Sequence, residues 1–450
     1  MGVVSFVRAQ LGTDTFCLGG LVCLTMAETN DPYGSYTEDG FILMLLAMVL
    51  LFVAAFAPRR NTSSIVWALM VGAFGLGIAA YVGDAAWVVA AFAAAAVLAA
   101  PMRWAWTLIA VAGAAALLPL ARDWTWGTAD IDVFGVVQGG ATALLQGQNP
   151  YAPTFSVQVY DAPGVFHIVP AHFVYGPAVP LLTAPGAFAG DVRAMSVAMF
   201  IVLFAGIIGL AATHPDKRRQ WWLVAICVAF PLTITMVLNA WVDIYSVALF
   251  VGWAALRRRH SLLASLALGA SFAAKFTIVP ALIPLWLWSS KVRREGAIAV
   301  LVATAIALPF AIATGIGDFV QDATWSLGLP TRFEFVTVNA YLYQHGQGPL
   351  DGWVGVLAVV VVACLILWRK PRDLGDSFVS SALLLTISFF FSKQAPINYY
   401  FIPITLLLLA LATRGLALDP AENIHLPLTS SKWWLEKVEN IRNRVWKHAA

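Results

Sequence analysis

The sequence predicts an all-α polytopic membrane protein, and three observations carry that prediction. Of its 450 residues, 60% are hydrophobic and 11% charged, against about 25% charged in a soluble globular domain. Apolar runs near the length needed to cross a hydrocarbon core recur along the chain, separated by short charged links. The basic residues concentrate in alternate links, the asymmetry of helical membrane proteins. An outer-membrane barrel is excluded, because it would show weak alternating segments instead. The formal net charge of +3 is small, and no nucleic-acid partner is expected. Cys17, Cys23, Cys227 and Cys364 all lie in apolar runs without a C-x-x-C pair, so neither disulfides nor metal binding is expected.

Taken in order, the first element is a modest apolar run from Leu11 to Ala27 behind Arg8. No small-residue cleavage site follows, so it reads as a weak first span rather than a signal sequence. Clear spans follow at 41–57, 64–82, 86–100, 104–121, 192–213, 221–238, 241–256, 296–315, 353–368, 377–392 and 397–413. The run 261–288 is too long for one span, has Lys275 at its middle and is flanked on both sides by arginines or lysines. Both flanks then belong on one side, so the run reads as two short helices with Lys275 at the apex. The segment Tyr175 to Ala189 is apolar but carries three prolines and two glycines, which suits a re-entrant or half-helix.

This layout gives about 12–14 transmembrane helices with both termini cytoplasmic. The inner links carry Arg59, Arg60, Arg103, Lys217 to Arg219, Arg257 to Arg259, Lys291, Arg293, Arg294, Arg369, Lys370, Arg372 and Arg414. Only Arg122, Arg193, Lys275, Arg332 and Lys393 fall outside. Residues 1–414 form one domain with two large extracytoplasmic loops, 122–191 and 316–352. Residues 415–450 form a cytoplasmic tail. Over Ser430 to Ala450, Trp433, Leu435, Val438, Ile441, Val445 and Trp446 recur among lysines and arginines, the pattern of an amphipathic helix lying on an anionic inner leaflet. The expected setting is the plasma membrane, with membrane lipids as neighbours.

The first external loop carries the strongest candidate chemistry. Asp130 and Asp132 precede a helical stretch, Val133 to Gln146, with Gly147 as its stop and Asn149-Pro150 as a turn. An Asp there either caps the helix or takes a proton from an acceptor hydroxyl. Lys275, near the outer interface, either holds an anionic lipid phosphate as a point charge or snorkels to water. Asp243 closes a short external turn after Asn239; it binds sugar hydroxyls, binds a metal, pairs with Lys275 or is a solvated turn residue. His167 and His172 lack the helix spacing of a zinc site and, with Tyr175, are candidate hydrogen-bond partners for a phosphate. In the second loop, Arg332 and Glu334 among aromatics suit a carbohydrate.

The runs D-I-D-V-F and A-L-L-Q-G-Q-N-P-Y resemble the first external loop of GT-C glycosyltransferases, in particular the actinobacterial polyprenol-phosphate-mannose mannosyltransferases of family 87. Phe134 stands where that family has Tyr, and Gly147 to Tyr151 supply its turn. F-V-Y-G-P-A-V-P-L-L is similar to the family's aromatic-Tyr-Pro-Pro segment, with Gly176 replacing one proline. N-A-W-V-D-I-Y-S-V-A-L-F, R-R-R-H and L-A-L-G-A-S-F-A-A-K-F-T-I-V-P resemble its polar turn, basic link and Lys-bearing helix pair. The similarity covers residues 122–290 in pieces, and the three or four spans before the loop depart from the simplest GT-C plan.

The resemblance implies a GT-C-like bundle and an inverting transferase. The sugar, mannose by family, moves from a polyprenyl-phosphate donor to a glycolipid or envelope-glycan acceptor. Asp130 or Asp132 is the general base. Lys275, His167, His172 and Tyr175 face the donor phosphate, while Asp243, Tyr151, Arg332 and Glu334 bind substrate. No cofactor is implied. The competing classes are a transporter or flippase of a lipid-linked or polar solute, which would keep its polar groups near the bilayer midplane, and an envelope polysaccharide ligase or polymerase.

Overall fold

A computed structural model describes residues 13–29, 36–56, 102–128, 131–162, 165–213 and 231–418, with isolated positions between them at 89, 93, 96, 220, 221 and 223–225. Asp130, the predicted span 64–82, almost all of 86–100 and the amphipathic tail 430–450 lie outside the described residues.

The described residues begin with α1 (Thr13–Thr29) and α2 (Glu38–Phe56), which pack together as a hairpin, and the next helix among them is α3 (Ala105–Asp123). The first loop then forms α4 (Asp132–Leu145), β1 (Phe155–Ala162), β2 (Val165–Ala171) and α5 (Ala178–Phe188). The bundle resumes with α6 (Arg193–Ala211), α7 (Pro231–Leu238), α8 (Asp243–Leu256) and α9 (Ser261–Ala274). A 3₁₀ segment, Phe276–Leu282, leads into the single turn α10 (Ile283–Trp286) and the long α11 (Ser290–Thr314). The second loop supplies α12 (Ile316–Gly328) and α13 (Val338–Gln344), and α14 (Gly352–Trp368), α15 (Leu374–Phe390) and α16 (Ile397–Thr413) complete the described fold.

Four of these helices, α2, α3, α6 and α11, are long and apolar enough to cross a membrane. The runs read as spans at 241–256, 353–368, 377–392 and 397–413 form apolar helices of at most 17 residues, short of the ~20 that span a bilayer without help. Their ends are set by local stop signals that hydropathy does not weigh. Asp373 caps α15 by accepting from the Asp376 N–H at 2.7 Å, and Pro396 precedes α16. Large apolar side chains cover the outer faces of α2, α11 and α14, with Leu301 69% exposed, the surface expected where the neighbour is hydrocarbon rather than water.

The core runs through α8, α15 and α16, with α6 and α9 packed on α8 and α11 packed on α9. One end of it is tied by charge. Arg414 reaches Asp14 at 2.9 Å and also pairs with Asp376, which holds Arg372 at 2.6 Å. Nearby, Arg257 pairs with the buried Glu295 at 3.1 Å and donates to the Leu418 carbonyl at 3.0 Å. The arginines from these separate predicted inner links thus converge on one end of the bundle. Asp243, the partner of Lys275, lies about 21 Å from Arg257 along α8, the rise of its 14 residues.

The chain is mostly helical but not all-α. β1 and β2 pair antiparallel, Phe155 opposite Ala171 and Gln158 opposite Ile168. Val157 and Val159 turn inward and are buried, while Gln158 between them is half-buried, the alternation that a one-sided strand requires. The hairpin rests on α4 at Gly139 and Gly140. A Cβ on Gly139 would enter the Phe155 ring, and one on Gly140 would fall 2.5 Å from the Phe173 ring. Those two rings occupy the space that side chains on α4 would otherwise fill.

Candidate functional site

α4 begins one residue before the predicted stretch, at Asp132 rather than Val133, and ends in a Schellman turn. Gly147 takes φ 73°, its N–H donates to the Leu144 carbonyl at 3.0 Å, and the Gln148 N–H donates to that of Ala143 at 2.9 Å. Asp132 is the first residue of the helix. Its Oδ1 accepts from the Val133 N–H at 2.8 Å and its Oδ2 from the Gln158 N–H on β1 at 3.0 Å. The side chain therefore serves the helix terminus and also ties helix to hairpin. A carboxylate offers about four lone-pair sites, so these two bonds leave acceptor capacity on each oxygen.

Asp132 lines a cavity of about 940 Å³ between the first loop and the bundle. Tyr175 and Gln158 share its loop wall; Lys275, Asn239, Asn398 and Tyr399 form much of its bundle wall; Arg332, Trp325 and Phe335 come from the second loop. Lys275 occupies a break in the chain. α9 stops at Ala274, Lys275 is extended (φ −156°, ψ 114°), and the 3₁₀ segment follows. Two serines fasten this break to α8: the Ser271 hydroxyl donates to the Ser246 carbonyl at 2.7 Å, and the Ser246 hydroxyl donates to the Ser271 carbonyl at 3.0 Å. The Lys275 ammonium contacts Asp243 Oδ1 at 2.6 Å and lies 4.0 Å over the Tyr399 ring. Asp243 is fully buried, and its Oδ2 accepts from the Asn398 amide at 2.6 Å. Of the alternatives open for Asp243, the structure shows the ion pair with Lys275.

Tyr175 connects the two walls. Burial pushes its phenol well above the ordinary tyrosine range, and Asp132, Tyr399 and Asp243 push it the same way. At neutral pH it is an O–H donor with no tendency to act as a base. The next residue, Gly176, approaches the end of α9 closely. A Cβ there would overlap the Ala273 carbonyl and lie 2.6 Å from that of Ala274. Both obstacles are backbone, so Gly176→Ala has to push this stretch of the loop away from the end of α9. It should cost about 1–3 kcal/mol or more, seen as a fall in unfolding midpoint in detergent. An unchanged midpoint would mean that the approach is not needed.

A second buried pair anchors the loop. Arg193 holds Asp191 at 2.7 Å, donates to the Thr125 carbonyl at 2.5 Å and stacks over Trp124 and Phe134 at 4.8 and 4.9 Å. Asp191 also accepts from the Gly127 N–H at 3.0 Å. The chain leading to Asp130 and Asp132 is thereby riveted to the start of α6.

The remaining candidates are placed as follows. Arg332 reaches the cavity, pairs with Glu334 and stacks over Phe335 at 4.3 Å. Tyr151 is buried behind the loop wall, and its hydroxyl donates to the Tyr175 carbonyl at 2.7 Å. His167 and His172 are exposed on and after β2, away from the cavity lining. Asn398 and Tyr399 were not expected from the sequence; the one available signal was a polar Asn beside two tyrosines at the start of an apolar run. Among the described residues, no three His, Cys, Asp or Glu side chains gather to hold a metal ion. No protein-family profile, curated protein or solved structure matches the chain.

Proposed function

We propose that the chain is a polytopic membrane glycosyltransferase of the GT-C type. In this reading it moves a sugar, mannose first among the options, from a polyprenyl-phosphate donor to a glycolipid or envelope-glycan acceptor on the outer side of the plasma membrane. The observation that carries the reading is a single cavity with a carboxylate on its loop wall and an ammonium on its bundle wall: Asp132 faces the same space as Lys275, Asn398 and Tyr399. A lipid donor stays in the bilayer while its head enters the cavity. Lys275 holds the phosphate as a point charge, and Tyr175 offers it a hydrogen bond. Asp132, or its neighbour Asp130, takes the proton of the acceptor hydroxyl. That oxygen attacks the anomeric carbon from the face opposite the phosphate, the C–O bond to phosphate breaks, and the polyprenyl phosphate leaves with the electron pair. One displacement inverts the configuration, so no sugar–enzyme ester forms and no second carboxylate nucleophile is required.

The test is incubation of the purified full-length protein with polyprenyl phosphates bearing mannose, glucose, galactose or arabinofuranose, together with envelope glycolipid as acceptor. Acceptor-dependent release of polyprenyl phosphate from one donor is expected. Movement of intact donor across a vesicle membrane without release from any of them would replace this reading with a flippase.

A further inference from the structure

We propose that Asn398 and Tyr399 are positioning residues for Lys275, holding its ammonium so that one N–H faces the cavity as the anchor for a phosphate on a lipid-linked ligand. The ligand class rests on the transferase reading; the positioning rests on geometry. An ammonium has three donors and no acceptor. One N–H of Lys275 is taken by Asp243 Oδ1 at 2.6 Å. The Tyr399 ring, 4.0 Å from Nζ, covers a second face of the cation. The side chain is otherwise 12% exposed, and Lys275 lines the cavity.

Asn398 prevents a competing arrangement. A lysine beside a buried carboxylate with both oxygens open can centre between them and withdraw from its surroundings. Here the second oxygen is occupied, because Asp243 Oδ2 accepts from the Asn398 amide at 2.6 Å. The carboxylate is fully buried, with each oxygen committed to a different partner. The backbone of Lys275 is held separately, its N–H donating to the Ser271 carbonyl at 3.1 Å, so the direction of the side chain is set by Asp243, Asn398 and Tyr399 together. The pair is neutral as a unit, which lets the cavity hold a cation when empty and still present a donor to an anion.

The test uses full-length protein in detergent, with farnesyl phosphate and farnesol as probes. Reductive methylation of Lys275 is read by peptide mass spectrometry, and unfolding midpoints are measured alongside. Farnesyl phosphate should slow methylation of Lys275 and farnesol should not. Asn398→Leu and Tyr399→Leu should each raise the farnesyl phosphate concentration for half-protection about tenfold, the size of one lost charge-assisted bond. Tyr399→Phe keeps the ring and should keep the wild-type value. Equal protection by farnesol, or wild-type half-protection in folded Asn398→Leu and Tyr399→Leu, overturns the proposal. If Asn398→Leu fails to fold, the Tyr399→Phe and Tyr399→Leu pair decides alone: the same half-protection in both overturns it. Protection by the phosphate without turnover of any sugar donor supports this inference and removes the transferase reading instead.

Discussion

Asp132→Asn should lower sugar transfer by about 10²–10⁴-fold, the range typical of losing a general base, in protein that still folds. The geometry makes the test a sharp one. Asp132 accepts from two backbone N–H groups, one on its own helix and one on β1. Asn keeps one acceptor oxygen and turns an NH₂ toward the other donor, so a cost of about 1–3 kcal/mol in local stability is expected even without any catalytic role. The purely structural reading therefore predicts a lowered unfolding midpoint and transfer reduced only in proportion to folded protein. The base reading predicts a loss in kcat far beyond that proportion, with donor half-saturation little changed. Asp130→Asn, made separately, completes the comparison, since either carboxylate satisfies the resemblance. Full kcat in both single variants and in the double variant would remove the general base from this loop.

Asp243→Ala should destabilise the bundle by about 3–5 kcal/mol, because it strands the Lys275 ammonium in a site built for a pair. The carboxylate is fully buried and the lysine side chain 12% exposed, so water reaching the ammonium from the cavity replaces the lost partner only in part. The double variant Asp243→Asn/Lys275→Met separates stability from function. It removes both charges at nearly unchanged volume, keeps an acceptor oxygen for the Asn398 amide and strands no buried charge, so its unfolding midpoint should return toward the wild-type value. Phosphate-dependent ligand binding should stay lost, because the Lys275 ammonium is gone from the cavity wall. Binding restored together with stability would show that the pair serves packing alone.

Several features of the site were legible in the sequence because they depend on neighbours in the chain. A lysine at the centre of an apolar run, bounded on both sides by basic residues, required a break, and α9 does end at Ala274 with Lys275 extended. Gly147 after a helical stretch required a stop, and it forms the C-terminal turn of α4. The hairpin was signalled less strongly. Val157 and Val159 alternate with Gln158 ahead of a Pro-Gly pair, but eight residues of alternation inside a loop carry little weight against hydropathy summed over whole spans. Asp243 was legible as a turn residue with four readings open, and Asn398 only as a polar residue beside two tyrosines, since nothing local marks an asparagine near the start of an apolar run as a partner for a carboxylate on a distant helix.

The sequence by itself determined that the chain is built of apolar helices and where Lys275 interrupts them. Those properties follow from hydropathy, charge and backbone preference, each fixed by residues a few positions apart. Only the tertiary structure decided that Lys275 pairs with Asp243, that Asn398 holds the other oxygen, and that Asp132 and Tyr175 face the same cavity. These contacts join α4, α8, the α9 break and α16, whose separation in the chain leaves no periodic signal. They are selected because a charge removed from water must find its counter-charge inside the packed bundle, and the packing determines which one is in reach.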